Sequence, residues 1–247
     1  MLCKWEKLPE EMQTEEVRKY YDILKKNQGS LIFKRVFDIV MSFLMLVIIS
    51  PLFLILAIAI KIDSKGPVFY RQVRVTQYGK KYRIHKFRSM VQNADKGSQV
   101  TVKGDNRVTK VGSFIRKCRL DEICQLTDIL CGTMTFVSTR PEVPKYVDQY
   151  TSDMLATMLL PAGVTSEASI YYKDEAELLN AAEDTDKTYM EVVLPGKMYY
   201  NLQAIEHFSF WHDIKVMFMT VFAVLGKEYK GDYMAAAENE KVKETVL

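Results

Sequence analysis

The stretch Ile39–Ile60, IVMSFLMLVIISPLFLILAIAI, decides how this chain is read. Its 22 residues carry no charge. As a straight helix it rises about 33 Å, enough for a hydrocarbon layer of roughly 30 Å. Two features argue against a simple crossing. Pro51, just after Ser50, has no N–H for the carbonyl of Val47, and its ring pushes the helix to bend. The flanking charges also choose no side. Four Lys/Arg lie in the 15 residues before Ile39 (Lys25, Lys26, Lys34, Arg35) and four in the 15 after Ile60 (Lys61, Lys65, Arg71, Arg74). A spanning helix needs an excess on its cytosolic side. The tie suits a helix–break–helix that enters the membrane and returns. A Pro-kinked span is the alternative, and the residues alone leave both open.

Ala57-Ile58-Ala59 looks like a signal-peptidase site, but the apolar run is too long for an h-region and 38 residues precede it. We expect the segment to stay in the mature protein. Outside it the chain reads as ordinary soluble sequence, so we expect a soluble domain fixed to a membrane. The 34 Lys+Arg against 31 Asp+Glu leave +3, too little to argue for nucleic acid.

Before the apolar run, residues 8–28 read as a surface helix. Pro9 suits a first turn, Glu10, Glu11, Glu15 and Glu16 the positive end, Lys25 and Lys26 the negative end, and Gly29 a stop. Val17, Tyr20, Tyr21 and Leu24 form one apolar stripe for docking. The four cysteines (Cys3, Cys118, Cys124, Cys131) make no disulfide framework and no CxxC. Cys124 and Cys131, seven apart, read as buried apolar residues on one helix face, in keeping with a reducing cytosol. His85, His207 and His212 lack zinc-ligand spacing.

After the run, residues 66–94 hold seven Lys/Arg and no Asp or Glu. Val68-Phe69-Tyr70 and Tyr82-Arg83-Ile84 flank a Tyr78-Gly79 turn, which predicts a β-hairpin. Its cations, Lys86 and Arg88 among them, suit lipid headgroups or a phosphate site. Residues 95–107 read as a loop and Val108–Cys118 as a short helix. A second helix starts near Leu120, and Phe136–Val147 begins as strand or turn. Pro161-Ala162-Gly163 marks a boundary. Residues 174–206 read as mainly helical, interrupted at Pro195-Gly196. Phe208–Leu225 reads as an amphipathic helix for the membrane interface or the core.

Asp121-Glu122 stand at a predicted helix start, after Arg116, Lys117 and Arg119. The plain interpretation is a capping pair with surface ion pairs. The sharper one is an acidic pair among phosphate-binding arginines, because a carboxylate can attack phosphorus or hold Mg²⁺. Arg140, between Thr139 and Pro141, suits bidentate phosphate contact. No GxGxxG or GxxxxGK[ST] is present.

Six ordered motifs then carry a resemblance. They are Lys34-Arg35-Val36-Phe37-Asp38, Ser50-Pro51, Gly66-Pro67-Val68-Phe69, Lys86-Phe87-Arg88-Ser89-Met90, Leu120-Asp121-Glu122 with Gln125-Leu126, and Arg140-Pro141-Glu142. From about residue 31 to 226 the chain resembles the bacterial sugar transferases, the small monotopic phosphoglycosyl transferases. The resemblance implies an α+β fold: a mostly helical, membrane-associated domain with a re-entrant helix–break–helix at about 34–62 and a short β-hairpin. An N-terminal helical extension (1–30) and a mobile tail (227–247) would flank it.

The resemblance also implies transfer of a sugar 1-phosphate from a UDP-sugar to polyprenyl (undecaprenyl) phosphate, giving polyprenyl diphosphosugar and UMP. This would be the first membrane step of surface glycan assembly. Asp121 would be the nucleophile and Glu122 its assistant, and Mg²⁺ would be required, with both carboxylates as candidate ligands. Lys86, Arg88, Arg116 and Arg140 would bind substrate phosphates. The implied setting is the cytoplasmic face of a bacterial plasma membrane, in contact with its lipids and with downstream glycosyltransferases as possible partners.

Two stretches depart from the family pattern. Ser138-Thr139 stands where Gly-Pro is usual, and Pro161-Ala162-Gly163-Val164-Thr165-Ser166 stands for a Pro-Gly-Ile-Thr-Gly-like run. Two other classes compete: a membrane-anchored anion-binding module without chemistry, and a catalytically dead scaffold. An anion binder gains nothing from Asp121-Glu122, and only Ser138-Thr139 supports the scaffold. UMP release separates all three.

Overall fold

A computed structural model describes residues 2–91, 106–175, 179, 182 and 184–232 of the 247. Most of the expected 95–107 loop and the tail beyond 232 lie outside the described residues. So do 176–178, 180, 181 and 183 of the expected helical stretch.

Helix α1, Glu15–Lys26, starts at Thr14, whose Oγ1 accepts a hydrogen bond from Val17 N at 3.4 Å. Val17, Tyr20, Tyr21 and Leu24 are all buried, as the stripe predicts, in a core shared with Met158, Leu159 and Ile205. Its ends differ from expectation. Pro9 precedes a separate 3-10 turn, Glu10–Met12. Gly29 does not stop the helix. Asn27 does, donating from Nδ2 to Ile23 O at 3.0 Å while its backbone N–H closes the last turn.

Helix α2, Gln28–Asp63, contains the apolar run and is continuous through Pro51, where a break was expected. Ser50 supplies the reason. Its Oγ donates to Val47 O at 2.8 Å, the carbonyl that Pro51 leaves without an N–H. Both ends of α2 hold the same globular body. Arg35 donates to Ile129 O and Leu130 O at 2.7 and 3.0 Å, and Thr135 Oγ1 donates to Asp38 at 2.6 Å. At the other end Val111 N donates to Asp63 at 2.9 Å. Between them the helix is largely uncovered: Val47, Ile48, Leu54 and Ile55 are 57%, 75%, 64% and 61% exposed. A core helix would be buried, whereas an exposed apolar surface of this extent marks a membrane or protein contact.

The hairpin follows as expected. Strands β1, Phe69–Val75, and β2, Lys81–Phe87, pair antiparallel from Phe69↔Phe87 to Val75↔Lys81. Tyr78 and Gly79 both take left-handed backbone angles, φ 59° and 71°, and so reverse the chain. Helix α3, Lys110–Lys117, and helix α4, Gln125–Cys131, come next. Of the two cysteines expected to be buried, Cys124 is and Cys131 is exposed. Cys131 ends α4, and Cys124 lies in the turn before it, so the two share no continuous helix face.

The strand or turn expected at Phe136 is a strand of a second sheet, whose pairing was not expected. Strands β3, Met134–Val137, and β4, Ala162–Thr165, pair in parallel. Between them lies the short helix α5, Pro144–Val147, and after them α6, Glu167–Tyr171. Helix α7, Thr185–Thr188, leads through a π-turn, Tyr189–Val193, into α8, Leu194–Glu206. Helical backbone runs unbroken from Thr185 to Glu206, so Pro195, just after the π-turn, does not interrupt it.

Helix α9, Phe210–Val224, lies beside the first half of α2. Phe210 contacts Phe33 and Phe37 edge-on, with ring centroids 4.7 and 5.3 Å apart, and the buried Lys34–Asp213 pair closes at 2.6 Å. One face of α9 packs through Val216, while Trp211, Phe218 and Phe222 are exposed.

Candidate active site

Three segments converge on Asp121 and Glu122. The first is the turn that carries them. Helix α3 is capped by Thr109, whose Oγ1 accepts from Gly112 N at 3.0 Å. Its backbone lies so close to Ser89 that a Cβ on Gly112 would meet Ser89 O at 2.0 Å. After α3, Arg119 takes the left-handed conformation (φ 53°), and Leu120–Glu122 form a 3-10 turn into α4. A non-glycine residue there costs about 1–2 kcal/mol, a strain that clusters at functional sites.

The second segment is β2. Lys86 Nζ donates to Glu122 Oε1 at 3.3 Å. Its neighbour His85 fixes β2 to α4, because Asp128 accepts from the His85 backbone N–H at 2.9 Å and lies 2.7 Å from its Nδ1.

The third is the turn after β3. Arg140 donates from Nη1 to Glu122 Oε2 at 3.1 Å, from Nη2 to Glu122 Oε1 at 2.5 Å, and from Nη1 to Val164 O at 2.8 Å. The unusual Ser138-Thr139 is held here through its backbone: Ser138 N donates to Thr165 O at 3.1 Å, and Gly163 N to Thr139 O at 2.8 Å. A Cβ on Gly163 would meet Ser138 O at 2.1 Å. Ser166, the other departure, caps α6 by accepting from Ser169 N at 3.1 Å.

The two carboxylates differ. Burial works against charge on Glu122, yet Arg140 and Lys86 outweigh it and hold this carboxyl well below its usual range. Arg140 is held protonated above its usual range, chiefly by Glu122. Asp121 has no ion pair among the described residues. Burial raises its pKa, Lys86 and Arg116 oppose that rise, and Glu122 adds to it. Lys86, Arg116, Arg119 and Arg140 thus surround two acids with four cations. The surplus suits an anionic ligand.

The structure brings five of the six sequence-predicted residues together. Arg88 stands apart, and its guanidinium is taken up elsewhere. Buried, it donates to Ser64 O at 2.7 Å, Ser64 Oγ at 2.9 Å and Lys65 O at 2.8 Å, tying off the end of α2. Its partners lie more than 20 positions away, which no motif displays. Arg119 was missed as a site residue, although its place beside the dyad was a usable signal.

A Mg²⁺ ion takes one or two carboxylates and completes its shell with substrate phosphates and water. Asp121, free of ion pairs among the described residues and disfavoured as a bare anion, fits that role. Glu122 fits poorly, since both its oxygens already accept from Arg140. Among the described residues no group of three His, Cys, Asp or Glu could close around a metal without such help.

The chain is similar in sequence to known proteins. The family model described as bacterial sugar transferase matches residues 29–227. A UDP-glucose:undecaprenyl-phosphate glucose-1-phosphate transferase of Klebsiella pneumoniae is 40% identical over 202 residues, 79% of this chain and 41% of that protein. A UDP-N-acetylgalactosamine-undecaprenyl-phosphate N-acetylgalactosaminephosphotransferase of Aeromonas hydrophila is 35% identical, covering 83% of this chain and 48% of that protein. A UDP-glucose:undecaprenyl-phosphate glucose-1-phosphate transferase of Caulobacter vibrioides is 31% identical over 78% of this chain and 69% of its own length. The chain spans less than half the length of the first two relatives.

Proposed function

This chain belongs to the bacterial sugar transferase family, and from that premise we propose that it transfers a sugar 1-phosphate from a UDP-sugar to polyprenyl phosphate by way of a covalent phosphosugar on Asp121. One observation carries the reading. Of two adjacent acids, Glu122 is held by Arg140 and Lys86, while Asp121 has no ion pair among the described residues and lies in the same cationic surround.

The residues divide the work as follows. Lys86, Arg116, Arg119 and Arg140 offset the charge of the diphosphate, so that an anionic nucleophile can approach it. An Asp121 oxygen attacks the phosphorus next to the sugar. A P–O bond forms, the bond to UMP breaks, and UMP leaves with that electron pair. A polyprenyl phosphate oxygen then attacks the same phosphorus and breaks the Asp121 O–P bond, which returns the carboxylate and releases polyprenyl diphosphosugar. Glu122 keeps Arg140 and Lys86 beside the reacting centre. Mg²⁺, when bound through Asp121 and substrate oxygens, would supply further charge neutralisation.

One substrate is water-soluble and the other lies in lipid. The exposed apolar surface of α2, with both ends tied to the globular body, supports a re-entrant helix that sets the site at the cytoplasmic face of the plasma membrane. The relatives' names differ in the sugar, glucose in one and N-acetylgalactosamine in another. The test is UMP release with undecaprenyl phosphate and a panel of UDP-sugars, with and without EDTA. At least one sugar should support turnover that EDTA abolishes and Mg²⁺ restores. No release with any sugar in Mg²⁺ would contradict the proposal.

A further inference from the structure

A buried polar cluster lies behind the turn that carries Arg140. Glu142, two residues on, is 9% exposed. Its Oε1 accepts from the Tyr189 hydroxyl at 2.5 Å and lies 3.6 Å from Lys197 Nζ. Lys197 Nζ also donates to Glu175 at 3.1 Å and to the Tyr189 hydroxyl at 3.4 Å. From the hairpin side, Arg74 donates to Pro141 O at 3.1 Å and lies 3.9 Å from Glu142 Oε2. Val75 N donates to Glu142 O at 2.9 Å.

None of these groups has a part in the transfer chemistry proposed above. A buried ion pair is a poor source of stability, since apolar residues of the same volume often do as well. Its use is to fix geometry. Tyr189 also opens the π-turn, a rare widening of a helix that is frequent at functional sites. The Arg140-Pro141-Glu142 turn is therefore held from two sides, by β1 through Arg74 and Val75 and by the π-turn and α8 through Tyr189 and Lys197.

We propose that Glu142, Tyr189 and Lys197 are positioning residues that hold the Arg140 guanidinium square against Glu122. The kinetic consequence rests on the function proposed above, but the positional claim does not. Two pronged bonds from Arg140 to Glu122 hinder rotation of its Nη groups, and ¹⁵N NMR of the full-length protein in nanodiscs reads that rotation directly. The Arg140 signal is identified by its loss in Arg140→Lys, and exposed Arg18 serves as the control.

In Tyr189→Phe, which keeps the ring and removes one O–H, and in Lys197→Met, rotation at Arg140 should quicken about tenfold, the size of one hydrogen bond to a charged group. The Arg18 signal should not change. Where the wild type turns over, kcat/KM should fall by a similar factor. Unchanged Arg140 rotation in folded Tyr189→Phe overturns the inference, whatever the turnover. A wild type that releases no UMP contradicts the proposed reaction instead and leaves the NMR result to decide the clamp.

Discussion

Arg140 and Glu122, 18 positions apart, meet through two N–H···O bonds of 3.1 and 2.5 Å. The pair takes up the charge of one acid and leaves its neighbour, Asp121, without an ion pair among the described residues. It also joins the strand-end turn at Arg140 to the 3-10 turn at Glu122, so the site has parts from both sides of β3.

Arg140→Lys keeps the charge and loses the planar fork, so one ammonium cannot bridge both Glu122 oxygens. UMP release should fall by about tenfold or more, since a charge-assisted hydrogen bond is lost. Wild-type turnover in this variant would remove Arg140 from the site.

Asp121 attacks only as the carboxylate. Its pKa, raised by burial and lowered by nearby cations, sets the acid limb of kcat/KM. Activity should rise with pH through that limb. Lys86 is one of those cations, so Lys86→Met should move the limb to higher pH, because removing a nearby cation favours the neutral acid. A pH–rate profile whose limb moves down, or does not move, would contradict this electrostatic picture.

Arg88→Met leaves the Ser64 and Lys65 carbonyls at the end of α2 without their donor. Leaving one such group unsatisfied costs about 1–3 kcal/mol. Thermal unfolding should occur several degrees lower, while KM for the UDP-sugar stays at the wild-type value. A raised KM with unchanged melting would return Arg88 to the substrate site.

Much of this was legible because local patterns and tertiary partners agree. The α1 stripe and the hairpin around Tyr78-Gly79 each rest on short-range signals. The β3–β4 pair was not legible. Its four-residue strands are almost wholly buried, so they show no alternation, and Gly163 is chosen for close approach to Ser138. Likewise Ser50 supports the carbonyl that Pro51 orphans, a bond that lets helical backbone pass through Pro51. At the site, a dyad among arginines is ambiguous as sequence, and only the family resemblance lifted Asp121-Glu122 above a helix cap. The Glu142–Tyr189–Lys197 cluster unites residues 47 and 8 positions apart and carries no motif at all.

If α2 re-enters the membrane, both of its flanks lie on one side. In a cysteine-free background, single cysteines at the exposed positions 16 and 227 should both resist an impermeant thiol reagent applied outside intact cells. Labelling at one position alone would establish a span.

The most direct test is the intact mass of the protein after incubation with UDP-sugar and Mg²⁺ and no polyprenyl phosphate. Two-step nucleophilic catalysis predicts release of up to one UMP per chain and a mass increase of one phosphosugar, located on Asp121. Asp121→Asn keeps the shape and much of the hydrogen bonding but lacks the attacking charge, so adduct and turnover should both vanish. Glu122→Gln should slow the reaction and leave Asp121 as the adduct site. An active Asp121→Asn, an adduct on another residue, or UMP release that requires both substrates together would contradict the account.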